Sequence, residues 1–262
     1  MAATHPTAAA GFDRAADAYE RGRPGYPAEA VAHLAAHFRL GEGVTVLDLA
    51  AGTGKLTRML AGTGATVVAV EPVAGMRRVL AQAVPGARVL EGTAEAIPVA
   101  DGAVDAVTVA QAFHWFDAGR AVAEIARVLR PGGGLGLIWN TFDTSVPWVD
   151  ALRALVDAHR HGEPQYGHAR WRDAFVTTRR FEPLEEHTFG LVQELETEEL
   201  VDRIGSTSYI ATLAEAERGK LFDEIRALVA DLPRPLRLAY RTDTYVTRRV
   251  RRRPGRDGFP PA

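Results

Sequence analysis

The chain has 262 residues, 47% hydrophobic and 24% charged, with a formal net charge of −2. This length suits one large domain or one domain with an insertion, and the charge argues against a nucleic-acid partner. The absence of cysteine excludes disulfides and thiolate chemistry. Because no apolar run approaches the ~18 residues of a membrane helix, and the start lacks a secretory-signal pattern, we expect a cytoplasmic protein with no membrane partner.

The first 40 residues are predicted to form a helix, a turn and a second helix. Phe12–Glu20 is a short amphipathic stretch, and the sequence RGRPGYP at 21–27 breaks it with two prolines and two glycines. Ala28–Phe38 has helical periodicity. We interpret residues 1–40 as an N-terminal helical lid, in which an arginine could meet a carboxylate. Its candidate substrate contacts are Tyr19, Arg23 and Tyr26.

From residue 44, short apolar strands alternate with helices, which is typical of a parallel sheet covered on both faces. This pattern predicts an α/β fold with a doubly wound, Rossmann-like sheet. A helix at Ala118–Leu129 is predicted to end at the Pro-Gly sequence that follows it. The five predicted strands are Val44–Leu49, Thr66–Val70, Arg88–Leu90, Val104–Ala110 and Leu135–Trp139.

After residue 140 the regular alternation of short strands and helices ends. The later elements are predicted as helices at Val149–His159, Trp171–Arg180, Glu198–Ile204 and Glu215–Ala230, and strands at His187–Leu195 and Leu238–Val246. The domain organisation expected is a core at 41–140, a mostly helical substrate-cover insertion with a late strand at 141–235, a final core strand at 236–247 and a basic flexible tail at 248–262. The arginine-rich tail is interpreted as solvated, with contact to a polyanion or a partner as the alternative.

The most informative motif is VTVLDLAAGTGKLT at 44–57. A strand ending in Asp48, then a turn with Gly52 and Gly54, then a helix suits a nucleotide-like ligand at a helix N-terminus. The dinucleotide pattern fails because Thr57 stands at its third glycine, and the P-loop pattern fails because Leu49 stands at its first. A ligand with a cationic amino-acid end therefore fits better than a pyrophosphate.

Two carboxylates accompany this turn. Glu71 follows the second strand, where an acid receives ribose hydroxyls in doubly wound folds; the alternative is an exposed acid at a strand end. Asp48 is expected to orient the turn and attract the ligand's ammonium group, directly or through water. Its alternative role is that of a capping or turn residue.

Together these segments resemble class I S-adenosylmethionine-dependent methyltransferases. The segments are VLDLAAGTGKLT, VVAVEP, EGTAEAIP, DGAVDAVTVA, AQAFHWFD and ARVLRPGGGLGLIWN, in order within residues 44–140. FDRAADAYERGRPGYP and AFHWF also resemble a small-molecule subgroup that includes trans-aconitate methyltransferase-like proteins. The resemblance implies seven strands with the last antiparallel, S-adenosylmethionine as cofactor and S-adenosylhomocysteine as product. No metal is expected, since the histidines have no convincing metal-ligand spacing.

The resemblance also implies cofactor contacts at matching positions. The glycine turn borders the methionine part, Glu71 the ribose, and Thr93-Ala94-Glu95 the adenine. Many relatives have aspartate at the position of Thr93, so Glu95 or backbone groups are expected to replace its hydrogen bond. Gln111 faces the sulfonium side, or is an ordinary loop residue. The implied set is Asp48, Ala50, Gly52, Gly54, Glu71, Pro72, Thr93, Ala94, Glu95, Ala110, Gln111 and Trp115.

His114 is the candidate catalytic residue, because it follows the fourth strand where the acceptor should enter. Its ordinary pKa of about 6.5 suits a base, and the alternative is that it orients the loop or the substrate. A carboxylate acceptor needs no base, whereas a phenol, an amine or an acidic carbon can need one. The remaining candidate substrate contacts are Asn140 and Tyr209.

The expected function is methyl transfer to a small organic acceptor, through a carboxylate, hydroxyl, amine or carbon, in specialised metabolism, by a monomer or homodimer. One rival is a protein that keeps the cofactor pocket for non-methylating catalysis or for binding. A second rival, a nucleic-acid methyltransferase, is suggested only by the arginine tail. It is disfavoured because AQAFHWF, and not an N-P-P-Y type of motif, follows the fourth strand.

Overall fold

A computed structural model describes residue 20, residues 22–160 and residues 170–251. Tyr19, the rest of the predicted first helix before Glu20, and the tail beyond residue 251 lie outside the described residues. In the part of the chain that is described, no helix has the length and apolar character needed to cross a bilayer.

Seven strands form one sheet in the order β3-β2-β1-β4-β5-β7-β6. They are β1 Thr45–Leu49, β2 Thr66–Val70, β3 Arg88–Leu90, β4 Val104–Ala110, β5 Leu129–Phe142, β6 Glu185–Leu195 and β7 Leu236–Arg248. Strands β1 to β5 pair in parallel, whereas β7 runs antiparallel to both β5 and β6. The predicted fold class is therefore confirmed, including the antiparallel last strand.

Helices cover the sheet on both faces. Within the described residues they are α1 Ala28–Phe38, α2 Lys55–Ala61, α3 Ala74–Ala83, α4 Ala118–Val128, α5 Pro147–Asp157, α6 Arg170–Thr177, α7 Thr197–Gly205, α8 Ser208–Ala211 and α9 Glu215–Leu228. Local caps set two of their starts: the Asp117 side chain accepts from the Arg120 amide before α4, and Glu196 with Glu199 forms a capping box before α7.

Packing of α1 explains two glycines in β5. A Cβ added at Gly134 would lie 2.2 Å from Phe38 Cδ1, and one at Gly136 would lie 2.9 Å from Phe38 Cε2. Small residues there allow the helix to sit directly on the strand. On the opposite face, Trp139 of β5 packs in a core with Phe113 and the aromatic residues of α6.

Residues 141–235 contribute both to the sheet and to its cover. Strand β6 pairs with β7 along its whole length. Helices α5, α7 and α9 share a second core with the N-terminal part of β7. The helix predicted at 118–129 ends one residue earlier, at Val128. Strand β7 ends at Arg248, the first residue of the predicted tail, and Arg248 donates to the carbonyls of Gly132 and His37.

Candidate functional site

A cleft opens at the carboxyl ends of β1 and β4, where the strand order changes direction and ligands bind in open α/β sheets. Seven of its lining residues were predicted from sequence: Arg23, Tyr26, Ala50, Gly52, Ala110, Gln111 and Asn140. The others are Pro24, Ala51, Thr53, Lys55, Leu56 and Arg203. The cleft therefore lies between the two strand ends, the segment at residues 22–27 before α1, here called the entry segment, and α7, a helix of the cover at 141–235.

Both strand ends hold a residue in the left-handed region, Ala50 with φ 55° and Gln111 with φ 59°. Such backbone strain in non-glycine residues concentrates at functional sites. The amide side chain of Gln111 donates to the Asn140 carbonyl at 3.1 Å. Asn140 in turn donates to the Gly25 carbonyl at 2.8 Å and accepts from Thr242 at 2.7 Å. These bonds fix the entry segment against β5 and β7.

The two glycines of the turn have different surroundings. Gly52 has φ 57°, and a Cβ added there would meet nothing within 4 Å, which agrees with its place on the cleft wall. Gly54 has φ 90° and directly precedes α2, and its added Cβ would lie 3.1 Å from Leu80 of α3. Gly52 thus leaves room for a ligand, whereas Gly54 leaves room for a helix.

Asp48 does not reach the cleft. It is fully buried, and its carboxylate accepts from the Thr57 hydroxyl at 2.6 Å and from the Thr108 hydroxyl at 3.0 Å. Burial raises the pKa of Asp48 to about 6, although these two hydrogen bonds act in the opposite direction. These contacts fit the turn-orienting interpretation, because Asp48 links β1, β4 and α2; its attraction of an ammonium group, directly or through water, stays a prediction.

Glu71 lies at the end of β2, beside the turn. It is 5% exposed, and its two oxygens accept from the backbone N–H groups of Gly52 and Val73, each at 2.9 Å. Burial raises the pKa of Glu71, and the two backbone hydrogen bonds oppose this rise. Arg77 donates to the carbonyls of Glu71 and Pro72 at 2.9 and 2.6 Å, which fixes the position of this pair.

The predicted adenine segment contains an orphaned polar atom. The Thr93 hydroxyl oxygen is buried and has no hydrogen-bond partner among the described residues. Glu95, the expected substitute, already accepts from the Asp117 amide at 3.0 Å, and Ala94 is buried. Thr93 itself therefore has the unused hydrogen-bonding capacity that an adenine amino group requires.

His114 lies in a short 3₁₀ turn, Phe113–Trp115. Its Nδ1 accepts from the Trp139 indole N–H at 3.3 Å. Burial and, secondly, the Arg160 cation lower the pKa of His114 to about 4. The imidazole is thus neutral at pH 7, and the bond to Trp139 assigns its proton to Nε2. This arrangement favours a donor that orients a substrate over a general base.

Tyr209 and His114 share Arg160 as a neighbour. Arg160 donates to the Tyr209 hydroxyl at 3.1 Å and lies 4.6 Å from the centre of its ring. The ring of Trp115 lies 5.2 Å from that of His114. The predicted residues His114, Trp115 and Tyr209 are not among those that line the cleft.

Sequence reasoning missed a network at the cleft mouth. Glu20 accepts from Thr53 at 2.6 Å and from Arg58 at 2.9 Å, and Lys55 donates to its carbonyl at 2.7 Å. Burial alone would raise the pKa of Glu20, but the hydrogen bonds from Thr53 and Arg58 and the charges of Lys55 and Arg58 lower it overall. The network attaches the end of the N-terminal segment to the glycine turn.

Arg203 was also missed. It is 6% exposed, yet it lies on the face of α7 that buries Leu200 and Ile204. An arginine on the apolar stripe of a predicted helix was the available signal.

In the described ranges, no group of three or more histidine, aspartate or glutamate side chains could hold a metal ion.

Three comparisons bear on this site. A family model described as a methyltransferase domain matches residues 47–137. An uncharacterized methyltransferase of Mycobacterium tuberculosis strain H37Rv is 45% identical, over 85% of this chain and 86% of the relative. A solved structure from Anaeromyxobacter dehalogenans, provisionally described as a type II methyltransferase, has a TM-score of 0.64 at 24% identity and covers 87% of this chain and 99% of its own.

A further solved structure, the [4+2]-cyclase SpnF, has a TM-score of 0.58 at 14% identity and covers 93% of this chain and 96% of its own. At this identity the likeness concerns the fold alone. The same architecture thus occurs in a protein whose name describes a cyclisation.

Proposed function

The chain belongs to the class I S-adenosylmethionine-dependent methyltransferases, and from this premise we propose that it methylates a small organic acceptor held in the cleft. The observation that carries the proposal is the cleft at the ends of β1 and β4, enclosed by the entry segment and by α7. A concave site with a few fixed polar groups suits a small molecule.

The residues present fit the cofactor. Each oxygen of Glu71 accepts one backbone N–H, so each retains a lone-pair position, and two positions suit two vicinal ribose hydroxyls. The orphaned Thr93 hydroxyl suits the adenine amino group. The space above Gly52 suits the methionine part. Ala50, Pro72, Ala110 and Gln111 complete the proposed contact surface.

When bound, S-adenosylmethionine supplies a methyl group whose carbon–sulfur electrons return to sulfur as the acceptor's lone pair forms the new bond. The chain's own contribution is to hold the acceptor in line, an effect worth roughly 7–11 kcal/mol at best. His114 does not line the cleft itself, so it is proposed to orient, through Nε2–H, an acceptor that extends from the cleft toward it. A proton lost by the acceptor passes to solvent, since Nδ1 of His114 already accepts from Trp139.

The proposal has four further parts. The protein belongs with the trans-aconitate methyltransferase-like proteins, acts in specialised metabolism, is cytoplasmic, and is a monomer or homodimer. Tyr26 and Asn140, which line the cleft, support a role in acceptor binding. The rival of non-methylating catalysis has one observation in its favour, the fold shared with a cyclase.

The test is label transfer. Purified protein is incubated with S-adenosylmethionine labelled in its methyl group and with panels of small carboxylates, phenols and amines, and with RNA and DNA as separate arms. Transfer to a small molecule supports the proposal. Transfer to nucleic acid alone, or cofactor binding with conversion of a substrate and no transfer of label, would contradict it.

A further inference from the structure

Arg203 is a buried cation on the wall of the cleft. It comes from the cover helix α7, and it is 6% exposed. Its Nε donates to the Tyr240 hydroxyl at 3.2 Å, and its guanidinium carbon lies 5.7 Å from the centre of the Phe142 ring and 5.9 Å from that of Tyr240. Aromatic rings and a hydroxyl hold the group in place, but none of them carries a negative charge.

The charge of Arg203 has no counter-ion within the described residues. None of the ion pairs there includes it. The described cleft lining carries three cations, Arg23, Lys55 and Arg203, and no acidic side chain. Lys55 has the Glu20 carboxylate 3.5 Å away. A buried charge without a partner is costly, so a ligand anion that completes the pair would explain why Arg203 is there.

We infer that Arg203 binds a carboxylate of the methyl acceptor, and that the enzyme therefore selects anionic acceptors over neutral isosteres. The inference rests on the proposed function and adds a substrate class to it. A guanidinium presents a planar fork that matches a carboxylate. The Nε bond to Tyr240 orients this fork.

The position of Arg203 in the sheet favours the acceptor over the donor. Its partner Tyr240 lies on β7, opposite Phe142 of β5, and β7 is separated from β1 by β4 and β5. At about 4.8 Å per strand, this is about 14 Å from the strand that carries the glycine turn. The methionine carboxylate of the cofactor belongs beside that turn, where Lys55 and Arg23 line the cleft.

Removal of Arg203 leaves its partner Tyr240 with a hydrogen bond, so a loss of anion binding will not be confused with a loss of folding. The Tyr240 hydroxyl also donates to Gln193 at 3.1 Å, so Arg203→Met buries no newly unpaired polar group. Arg226→Met is the matched control, because it removes the same charge from a partly exposed surface position, where Arg226 pairs with Glu198 at 2.8 Å. Arg203→Lys keeps the charge but loses the planar fork.

The experiment measures thermal melting of the full chain, saturated with S-adenosylhomocysteine, as acetate or its neutral isostere acetamide is titrated at constant ionic strength. Acetate should raise the Tm of wild type and Arg226→Met in proportion to the logarithm of its concentration above Kd, and acetamide should not. Arg203→Met should lose this rise and should melt no lower than wild type without acetate. Arg203→Lys should show a smaller rise.

A wild-type protein indifferent to acetate, or an Arg203→Met protein that responds as wild type does, would overturn the inference. Calorimetric titration of S-adenosylmethionine tests whether Arg203 binds the methyl donor and not the acceptor. Its Kd should differ less than about threefold between Arg203→Met and wild type, and a loss of tenfold or more, about 1.4 kcal/mol, would assign Arg203 to the donor's carboxylate instead. Failure of wild type itself to bind S-adenosylmethionine would contradict the proposed function and is therefore distinguishable.

Discussion

The hydroxyl of Thr57 donates a 2.6 Å hydrogen bond to the buried carboxylate of Asp48. Thr57 is fully buried and lies in α2, and Asp48 lies in β1. The residue that interrupts the dinucleotide pattern is therefore the one that holds the acid before the turn. This hydrogen bond joins a strand and a helix that frame the cleft.

Thr57→Val keeps the shape of the side chain and removes the donor. We expect it to lower the free energy of unfolding by about 1–3 kcal/mol, because a buried carboxylate loses one of its two hydroxyl partners. Urea denaturation measures the loss. Thr66→Val, at an exposed position of β2, is the control and should stay within about 0.5 kcal/mol of wild type. Equal stability of Thr57→Val and Thr66→Val would refute this role.

The raised pKa of Asp48 predicts a pH dependence of a definite sign. The folded pKa of Asp48 is about 6 and its ordinary value is 3.8, so the folded state keeps the proton to a higher pH than the unfolded state does. This group's contribution to stability therefore falls as pH rises from about 4 to 6. The difference corresponds to about 3 kcal/mol. Asp48→Asn should therefore gain stability relative to wild type between pH 4 and pH 7 in urea denaturation. A constant difference would show that the carboxylate is not perturbed.

Gly52→Ala tests whether the space above the turn belongs to the ligand. Gly43 is a matched control, since it also has positive φ and also has nothing within 4 Å of an added Cβ. Both substitutions should cost about 1–2 kcal/mol of stability through the left-handed conformation. Only Gly52→Ala should weaken S-adenosylmethionine binding, which calorimetry measures. A similar loss of affinity in both variants would mean that general destabilisation, and not the cleft, is responsible.

His114 should remain neutral far below pH 6.5. Nitrogen NMR of labelled protein should find the proton on Nε2 and a titration near pH 4, because burial and Arg160 disfavour the imidazolium. Trp139→Phe removes the N–H that Nδ1 accepts, so the tautomer preference should weaken in that variant. A titration of His114 near pH 6.5 in wild type would restore the general-base hypothesis.

The sequence predicted the part of the site that local patterns determine. The apolar strand, the small-residue turn and the helix at 44–57 come from neighbouring residues, and they lie where expected. The late strand at 187–195 was also found, although β6 begins earlier, at Glu185. These elements follow from periodicity and turn chemistry, which are properties of short windows.

The rest depends on contacts between distant residues. Two hydroxyls, one of them 60 residues away in Thr108, hold Asp48 in the core. The apolar stripe of its helix could have indicated that Arg203 is buried, but nothing near it in sequence indicates that Tyr240 and Phe142 receive it. Side-chain direction at such positions is decided by tertiary packing.

The measurement that tests the central claim most directly is calorimetric titration of S-adenosylmethionine into wild type and Glu71→Gln, a variant that keeps the shape and removes the charge. We predict saturable binding by wild type with one site per chain. Glu71→Gln should bind about 10–100-fold more weakly, since hydrogen bonds to a charged group are worth about 1.5–3 kcal/mol. No uptake by folded wild type, or equal affinity in both proteins, would contradict the claim that Glu71 holds the cofactor's ribose.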